Sequence, residues 1–513
     1  MRYSQSRERL YQGNRTERAS VCGGYARQQT EEAPLPTDLS LFIAGEWTAG
    51  TGDEVYELRS PVSGEHIANL PLASREDVDR AVRSARQAGE KVRGMTAHER
   101  AAICHRIAEL VDGRREELAR LQTLEQGKPL HTESLPDIEE LAEYFRNAAE
   151  DVKRLSGEVL PSQDPNKRIL TWRRPVGTWA AITPWNFPVV IPVEYLAPGF
   201  ATGNTFVCKP PELTPWTMLE LAKLFEEAGV PPGAISVIPG GPEIGEVLVT
   251  HEGIDAIGFT GSSDTGRRIV AQMGLKRSIM EMSGNGPLIV VGDADVAAAA
   301  RAAVYGAYYC AGQVCCATER VIVLDSVHDE FVEQTLKAAE EVRLGDPFDE
   351  ATTMGPLNNE ETAAKMDRHL ADARERGAEV LLGGDRAAGF PTRLYYDFTV
   401  VDRVQEGSLL AAEESFGPVV PIISARDDEE ALAIANRDRL GLQAAVFTSS
   451  LRKAFLYAEA LRAGSVIVND TTDYWETFQP FGGGAGTETG WGRGRMEEFT
   501  DLQTVVFDFH NVR

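Results

Sequence analysis

The stretch TWAAITPWNFPVVIPVEYLAPGFATGNTFVCK, residues 178–209, holds two short apolar runs around a longer apolar segment that prolines and an asparagine interrupt. The runs 178–183 and 205–209 have the length and composition of buried strands, and similar runs recur at 234–240 and 255–261. Between the runs 205–209 and 234–240 the sequence predicts a helix, with Thr214 as its N-cap, Pro215 at its first position and Gly229 at its end. This alternation predicts a parallel, doubly wound sheet with helices on both faces.

A second alternating block begins near Gly286. Apolar runs at 287–292, 320–324, 445–449 and 465–470 predict strands, and the intervening segments 294–307 and 327–343 predict helices. Upstream, residues 74–150 have helical spacing, with Ser74 as the first N-cap. The predicted fold class is therefore α/β, with two doubly wound, Rossmann-like parallel-sheet domains.

Two further segments predict a small β element. Residues 155–177 contain two short β-like runs around the turn SQDPNK, and residues 501–509 form an apolar strand after a glycine-rich loop. A lone hairpin is only marginally stable in water. We therefore expect these segments to pair across a subunit boundary as an oligomerisation element.

Composition narrows the class of protein. A chain of 513 residues exceeds one ordinary core, and its net charge of −26 argues against a nucleic-acid partner. No apolar run reaches the ~20 residues that span a bilayer, so no membrane partner is expected. Six cysteines in this length make no disulfide framework, which favours a reducing cytoplasm. Residues 1–36, rich in Arg, Gln and Ser, predict a flexible tail.

The segment YYCAGQVCCATER, residues 308–320, concentrates three of the six cysteines. A metal site is disfavoured because Cys310, Cys315 and Cys316 have no nearby histidine or second cysteine pair, so no metal is expected. A disulfide between the adjacent Cys315 and Cys316 would be strained. A buried structural thiol stays open. A nucleophile at the chain reversal before the strand 320–324, close to backbone N–H groups, stays open as well.

A nucleophilic thiolate needs an oxyanion donor and a base for hydrolysis. Asn186, held between two prolines in TPWNFP (183–188), can supply the donor. Glu281 in IMEMSGNGP (279–287) can supply the base, because desolvation in an apolar run raises the pKa of a carboxyl. Both residues could equally be satisfied buried polar groups.

Two strand ends could hold a nucleotide. In GFTGSSDTGRRIV (258–270) Ser262 can cap a helix whose free N–H groups would face a diphosphate, although a plain tight turn explains the same residues. In CKPPEL (208–213) Lys209 and Glu212 can grip ribose hydroxyls, and a surface ion pair is the alternative.

Together these segments resemble the aldehyde dehydrogenase superfamily over about residues 40–508. The stretches that carry the resemblance keep the family's order: TPWNFP, CKPPEL, GFTGS, MEMSGNGP, GQVCCA, GDPFDEATTMGP (345–356), EESFGPVV (413–420) and PFGGGAGTETGWGR (480–493). The resemblance implies a cofactor-binding domain of residues 37–154 and 174–282, a catalytic domain of residues 283–483, and an oligomerisation element of residues 155–173 and 484–513.

The resemblance also implies the roles of the catalytic residues. Cys315 matches the family's nucleophile, Asn186 its oxyanion donor together with the Cys315 N–H, and Glu281 its general base. The implied reaction is the oxidation of an aldehyde to a carboxylic acid. It passes through a thiohemiacetal and a thioester on Cys315, and Glu281-activated water hydrolyses the thioester.

The cofactor implied by the resemblance is NAD, with NADP as the alternative. Glu414 and Phe416 match the residues that hold the nicotinamide ribose, and Lys209 and Glu212 match those at the adenosine ribose. The remaining cofactor contacts implied are Thr183, Pro184, Trp185, Gly261, Ser262 and Met282. The sequence departs from the family pattern at Ser283, which stands where a glycine is usual, and this puts the resting pose of the cofactor in doubt.

The substrate is predicted less directly. Glu194 lies eight residues after Asn186, where relatives that act on carboxylated aldehydes place an arginine. A carboxylate there disfavours such substrates by like-charge repulsion. With Tyr474 and Trp475 it suits a cationic or aromatic aldehyde, although Glu194 could instead be solvated at the rim. Phe187, Tyr309 and Cys316 are the other substrate contacts expected.

Two alternatives remain at this stage. A CoA-acylating relative would release the acyl group to CoA, and Glu281 argues against it because that route needs no hydrolytic base. A non-catalytic binding or structural descendant of the fold is disfavoured because Cys315, Asn186 and Glu281 occur together. The expected partners are an aldehyde and further copies of the chain, as a homodimer or homotetramer.

Overall fold

Residues 178–209 form a strand–helix–strand unit in the computed structural model of the protein, which describes residues 36–492 and 494–510. The strands are β1 (Thr37–Asp38), β2 (Leu41–Ile43), β3 (Glu46–Thr48), β4 (Val55–Arg59), β5 (His66–Pro71), β6 (Val159–Leu160), β7 (Lys167–Pro175), β8 (Thr178–Ile182), β9 (Thr205–Lys209), β10 (Ile235–Val237), β11 (Ala256–Gly261), β12 (Arg277–Met282), β13 (Gly286–Val290), β14 (Thr318–Leu324), β15 (Glu379–Leu382), β16 (Thr399–Asp402), β17 (Val419–Ala425), β18 (Gln443–Phe447), β19 (Ser465–Val468), β20 (Gly490–Trp491) and β21 (Thr500–Asp508).

The α-helices are α1 (Arg75–Gly94), α2 (Ala97–Gly113), α3 (Arg115–Gln126), α4 (Leu135–Val152), α5 (Val190–Ala201), α6 (Trp216–Ala228), α7 (Pro242–Thr250), α8 (Ser263–Gln272), α9 (Val296–Tyr308), α10 (His328–Ala339), α11 (Glu360–Glu375), α12 (Leu409–Ala412), α13 (Asp428–Asn436) and α14 (Leu451–Ala460). A π-helical turn spans Leu130–Ser134, and 3₁₀ turns span Tyr309–Gly312 and Met496–Phe499.

The first large sheet has the order β20-β12-β11-β8-β9-β10-β2-β3, and β12 to β10 run parallel. On β8, Trp179 and Ala181 belong to one hydrophobic cluster, whereas Ala180 and Ile182 belong to another on the opposite face. The continuous apolar run arises because helices cover both faces of the sheet. The chain order reverses between β8 and β11, so their carboxyl ends flank the crevice where ligands bind in doubly wound sheets.

The second large sheet has the order β15-β16-β17-β14-β13-β18-β19, with β16 to β19 parallel. Its helices and strands bury a separate apolar cluster. The predicted α/β fold class with two doubly wound parallel sheets is confirmed.

The third element is the sheet β21-β7-β6, built from the predicted hairpin and the terminal strand. β21 pairs with β7 of its own chain along the whole strand, from Thr500 opposite Pro175 to Asp508 opposite Lys167. One edge of β21 is therefore occupied by β7 of its own chain, and the pairing of this strand across a subunit boundary stays a prediction. Within the described residues, the outer edge of β21 has no strand beside it.

Two helix starts show how the caps are satisfied. Ser74 caps α1 as predicted, accepting from the N–H of Asp77 in a capping box. Thr214 does not cap α6; its hydroxyl donates to the Trp185 carbonyl at 3.2 Å. The Glu125 carboxylate takes over, accepting from the N–H groups of Trp216 and Thr217 at 2.7 and 2.9 Å. A side chain on α3, 91 and 92 residues before the two N–H groups, thus caps the helix in place of Thr214.

Some predictions fall outside these observations. The flexible tail, with Cys22, lies outside the described residues apart from Pro36, and the domain boundaries proposed for the rest stay predictions. In the part of the chain that the structure describes, no helix is long and apolar enough to cross a bilayer. The same residues contain no cluster of acidic, cysteine and histidine side chains suited to a metal ion.

Candidate active site

Cys315 lies in the loop between α9 and β14, and its side chain is partly exposed. The loop begins with two non-glycine residues in the left-handed region, Cys310 at φ 51° and Ala311 at φ 52°. Such conformations persist only where the surroundings hold them. Gln313 supplies part of this support, because its side chain donates to the Cys310 carbonyl at 2.8 Å and accepts from the Asn358 N–H at 2.8 Å.

Asn186 reaches the same loop from the carboxyl end of β8. Its buried amide Nδ2 donates to the Gln313 carbonyl at 2.9 Å. The backbone carbonyl of Asn186 in turn lies 3.9 Å from the Cys310 sulfur. One amide hydrogen therefore fixes Asn186 beside the cysteine loop, and the second hydrogen is left for another acceptor.

Glu281 approaches from β12, one residue before the strand ends. Its side chain is buried, and its Oε1 has no hydrogen-bond partner. Burial raises the pKa of Glu281 well above its usual range, helped by the charge of Glu194, while a hydrogen bond with the Cys315 thiol opposes this. A carboxyl whose pKa is raised in this way is a stronger base, once ionised, than an exposed one.

The surroundings of Cys315 favour the protonated thiol over the thiolate. Its hydrogen bond with Cys316 raises its pKa most, followed by burial and by the charge of Glu281. The sequence suggested a cysteine that ionises beside backbone N–H groups. The neighbouring thiol and carboxylates oppose ionisation, and the role of Cys315 as a nucleophile stays a prediction.

A cavity of about 230 Å³ brings most of the predicted catalytic and cofactor residues together. It is lined by Asn186, Glu281, Cys315, Pro184, Trp185, Gly261, Ser262, Met282, Glu414 and Phe416. Thr183, Lys209 and Glu212 are not among its described lining residues. Thr183 follows β8, Lys209 is the last residue of β9, and Glu212 lies three residues further on. The Thr183 N–H donates to the Lys209 carbonyl at 3.3 Å.

The sequence reasoning did not assign several lining residues of this cavity: Ile191, Thr260, Ser283, Asn359, Glu361, Thr362 and Lys365. Four of them lie at the start of α11, outside the motifs that resemble the family: Asn359, Glu361, Thr362 and Lys365. Asn359 caps α11 by accepting from the Thr362 N–H at 3.0 Å, and an Asn before a Glu-rich turn was the available signal.

The cavity fits a dinucleotide. Ser262 caps α8 at the end of β11, so the first turn of that helix faces the cavity. A Cβ on Gly266 would lie 1.9 Å from the Met282 sulfur, so a larger residue there would have to displace the Met282 side chain. Thr183 Oγ1, buried directly after β8, has no hydrogen-bond partner among the described residues.

Glu414 and Phe416 lie on the loop that enters β17. Glu319 on β14 anchors this loop by accepting from the N–H groups of Ser415 and Phe416, both at 2.9 Å. Phe416, held at φ 59°, meets the Trp185 ring edge-on at 5.6 Å between ring centroids. The two aromatic rings and the Glu414 carboxylate thus form one wall of the cavity.

Lys209 is almost fully buried, and its Nζ donates to the Gly240 carbonyl. Burial lowers the pKa of Lys209, and the nearby charge of Glu212 opposes that effect. The pair therefore has the proximity that the sequence suggested, at the carboxyl ends of the parallel strands.

A second, smaller cavity of about 50 Å³ lies on the other side of Glu281. Of the predicted substrate residues it is lined by Glu194 and Trp475, and further aromatic walls come from Tyr144, Tyr195 and Phe481. The Trp475 indole donates to the Tyr144 hydroxyl at 2.9 Å, and that hydroxyl donates to Glu194 at 3.2 Å. Burial raises the pKa of Glu194 to about 8.

Tyr144 was not predicted from the sequence, because its spacing on α4 is that of an ordinary buried face. Leu141, Phe145 and Ala148 share that spacing and are buried. Only its contacts with Glu194 and Trp475, 50 and 331 residues away, distinguish it.

The other predicted substrate residues do not line the second cavity. Cys316 belongs to a small apolar cluster that Phe187, Tyr309 and Cys315 pack against. Tyr474 donates to Glu476 at 2.8 Å. Beneath Phe187 lies the buried Lys128, with its Nζ 3.2 Å from the ring centroid and 2.7 Å from the Asp137 carboxylate.

Comparison with known proteins gives consistent similarities. The model of the aldehyde dehydrogenase family matches residues 47–505. The mitochondrial succinate-semialdehyde dehydrogenase of Arabidopsis thaliana is 36% identical over 471 residues, covering 90% of this chain and 88% of that protein.

Solved structures agree. The succinate-semialdehyde dehydrogenase of Burkholderia pseudomallei superposes with a TM-score of 0.90 at 34% identity, over 94% of this chain and 100% of that chain. The betaine aldehyde dehydrogenase of Staphylococcus aureus, in complex with NAD+, superposes with a TM-score of 0.87 at 31% identity, over 92% of this chain and 95% of that chain.

Proposed function

Because the chain belongs to the aldehyde dehydrogenase family, we propose that it oxidises its aldehyde through a covalent acyl group on Cys315, which Glu281-activated water releases as a carboxylic acid. The protein is an NAD(P)-dependent aldehyde dehydrogenase. The observation that carries the proposal is the place of Glu281, beside the Cys315 thiol and at the junction of both cavities.

The first step uses the thiol–carboxyl contact. Cys315 passes its proton towards Glu281, and the thiolate adds to the aldehyde carbon. The free hydrogen of the Asn186 amide and the Cys315 N–H stabilise the oxyanion that forms. When bound, a nicotinamide would supply the acceptor for the hydride that leaves the substrate carbon, and the loss of that hydride converts the adduct into a thioester.

The second step uses Glu281 as a base. Cys315 now carries the acyl group as a thioester. Glu281, having released the first proton to solvent, removes a proton from a water molecule, and the resulting hydroxide attacks the thioester carbonyl. The acid leaves and the Cys315 sulfur is free again. Because burial raises the pKa of Glu281, its carboxylate is a stronger base than an exposed one.

The cofactor is held by groups already present. Ser262 and the first turn of α8 suit a diphosphate, Glu414 suits ribose hydroxyls, and Trp185 and Phe416 enclose the reactive end. At the other end, Lys209 and Glu212 favour NAD over NADP, because a carboxylate repels the additional phosphate.

The test follows reduced-nicotinamide absorbance with and without CoA. We expect turnover that CoA does not accelerate, loss of about 10³-fold or more in Cys315→Ala, and in Glu281→Gln one rapid turnover followed by slow release. Acyl-CoA as the main product would favour the acylating alternative. Unchanged turnover in Cys315→Ala would exclude Cys315 as the nucleophile.

For the substrate, we propose a cationic or aromatic aldehyde in preference to a carboxylated one. Among the described residues, two carboxyl groups and four aromatic side chains line the second cavity. No described lysine, arginine or histidine lines it. Cations are attracted both by ring faces and by carboxylates. The names of two relatives, succinate-semialdehyde dehydrogenases, describe the opposite preference for those proteins.

A panel of matched aldehydes decides between these preferences. We expect betaine aldehyde and benzaldehyde to show higher kcat/KM than succinate semialdehyde, and Glu194→Arg to reverse the order. Succinate semialdehyde ranked first by the wild type would contradict the substrate proposal and leave the Cys315 mechanism intact.

We also propose a homo-oligomer. Apolar side chains are exposed on the β21–β7–β6 sheet, including Trp172, Leu502 and Val506, and on α14, including Leu451 and Phe455. Patches of this kind mark protein–protein contacts. The five described cysteines are free, which suits the cytoplasmic location that the sequence predicts, although the Arabidopsis relative is named as mitochondrial.

A further inference from the structure

Ser283 stands between the general base and the cofactor-holding loop. It follows β12 directly, two residues after Glu281, and lines the larger cavity. Its carbonyl accepts from the Thr489 hydroxyl at 3.1 Å. Its backbone is outside the left-handed region, so the conformation does not require the glycine that the family pattern carries.

The Ser283 hydroxyl makes two contacts, one on each side of the cavity. It accepts from the Ser263 N–H, in the first turn of α8, at 3.3 Å. Burial raises the pKa of the Glu414 carboxyl, and a hydrogen bond from the Ser283 hydroxyl is among the contacts that oppose this rise. A hydroxyl can do both at once, because it has one proton to donate and lone pairs to accept with.

Glu414 receives a second donor from the same segment. The Gly284 N–H donates to Glu414 Oε1 at 3.0 Å. The dipeptide Ser283–Gly284 therefore fixes the carboxylate on the far loop relative to the first turn of α8. These are the two places where the proposed function puts the ribose and the diphosphate.

We propose that Ser283 is a positioning residue for the cofactor, which holds the Glu414 carboxylate and the amino end of α8 at a fixed separation before the dinucleotide binds. This inference rests on the proposed function. A site arranged in advance binds more tightly, since less freedom is lost on binding. A glycine at this position has no hydroxyl, so the link is a property of this chain.

The first test measures NAD+ binding without turnover, by quenching of protein fluorescence or by calorimetry. We expect Ser283→Ala and Ser283→Gly to raise the Kd for NAD+ by about three- to tenfold, the range for one lost hydrogen bond. In turnover, the KM for NAD+ should rise with it, while the KM for the aldehyde stays unchanged. A Kd that is equal or lower in both variants would overturn the inference.

A double-mutant cycle tests whether Ser283 acts through Glu414. In a Glu414→Gln background, Ser283→Ala should have less effect on the Kd than in the wild type, because the hydrogen bond to a carboxylate is already gone. Equal effects in both backgrounds would show that the link to Glu414 is not the cause.

The control is Ser278→Ala, on β12 and outside both cavities, where the hydroxyl accepts from the Trp491 indole at 3.1 Å. It should lower thermal stability without changing the Kd. If the wild type does not bind NAD+ at all, the proposed function fails. If the wild type binds and Ser283→Ala binds equally well, only this inference fails.

Discussion

The groups around Cys315 raise the pKa of its thiol. The Cys316 thiol, burial and the Glu281 charge raise the pKa of its thiol in that order. We expect slow alkylation of Cys315 by iodoacetamide at pH 7 and a rate that climbs through alkaline pH. Cys316→Ala should lower this pKa and speed alkylation at pH 8 by about threefold or more, because a larger fraction of the thiol is then ionised.

Peptide mass spectrometry of residue 315 gives these rates. Glu281→Gln should act in the same direction with a smaller effect, because removing a negative charge favours the thiolate. An alkylation rate already at its plateau near pH 6 would show that the thiol is ionised at rest and that this account of its neighbours is wrong.

Glu194 gives the second cavity a charge that depends on pH. Burial raises its pKa to about 8, so the group is a neutral acid below that pH and a carboxylate above it. The KM for a cationic aldehyde should therefore fall as pH rises through about 8, and the KM for a neutral aldehyde should not. Glu194→Gln should remove the difference. Parallel profiles for both aldehydes in the wild type would contradict this assignment.

Among the elements of the protein, two loops that line the larger cavity contact each other. The loop before β14 carries Cys315, the loop before β17 carries Glu414, and the two strands are neighbours. A Cβ on Gly312 would lie 2.1 Å from the Gly417 carbonyl oxygen, and Gly312 has φ 75°. The backbones touch, so displacing one loop displaces the other.

Gly312→Ala tests this contact. We expect a loss of about 1–3 kcal/mol in the free energy of unfolding from the left-handed backbone and the clash, with a lower kcat and weaker NAD+ binding together. Thermal unfolding and NAD+ titration measure the two effects. Gly274→Ala, also at positive φ but with open space around it, is the matched control, and should cost stability without affecting NAD+ binding.

At the scale of the whole molecule, the exposed sheet β21–β7–β6 is expected to join copies of the chain. Leu502 and Val506 lie four residues apart on β21, with exposures of 56% and 54%. Replacing both with Asp should shift the mass measured by light scattering towards the monomer, because charges are excluded from apolar interfaces. A wild-type monomer, or an unchanged mass in the variant, would contradict the proposed interface.

Much of the fold was predictable, because its signals are local. The strands at 178–183 and 205–209 are continuous apolar runs, and such runs mark strands buried on both faces. Contacts between distant segments were not predictable. Glu125 replaces Thr214 as the cap of α6, and β7 rather than another subunit pairs with the inner edge of β21.

The site divides in the same way. Asn186, Glu281 and Cys315 occur in recognisable motifs, and the chain brings them to one cavity. Tyr144 and Lys365 sit on helices with ordinary spacing, so only the folded chain assigns them to a cavity. The protonation state of Cys315 was also not predictable from the sequence. It depends on the adjacent Cys316 and on Glu281 and Glu414, which other elements bring beside it.

Among the described lining residues, the two cavities share Glu281 alone. Substitutions at 194 or 475 and substitutions at 283 or 414 should thus combine almost additively, since they have no common neighbour except that carboxyl. For protein engineering this means that two small libraries, one for aldehyde choice and one for coenzyme choice, can be screened separately and their winners merged in a single gene.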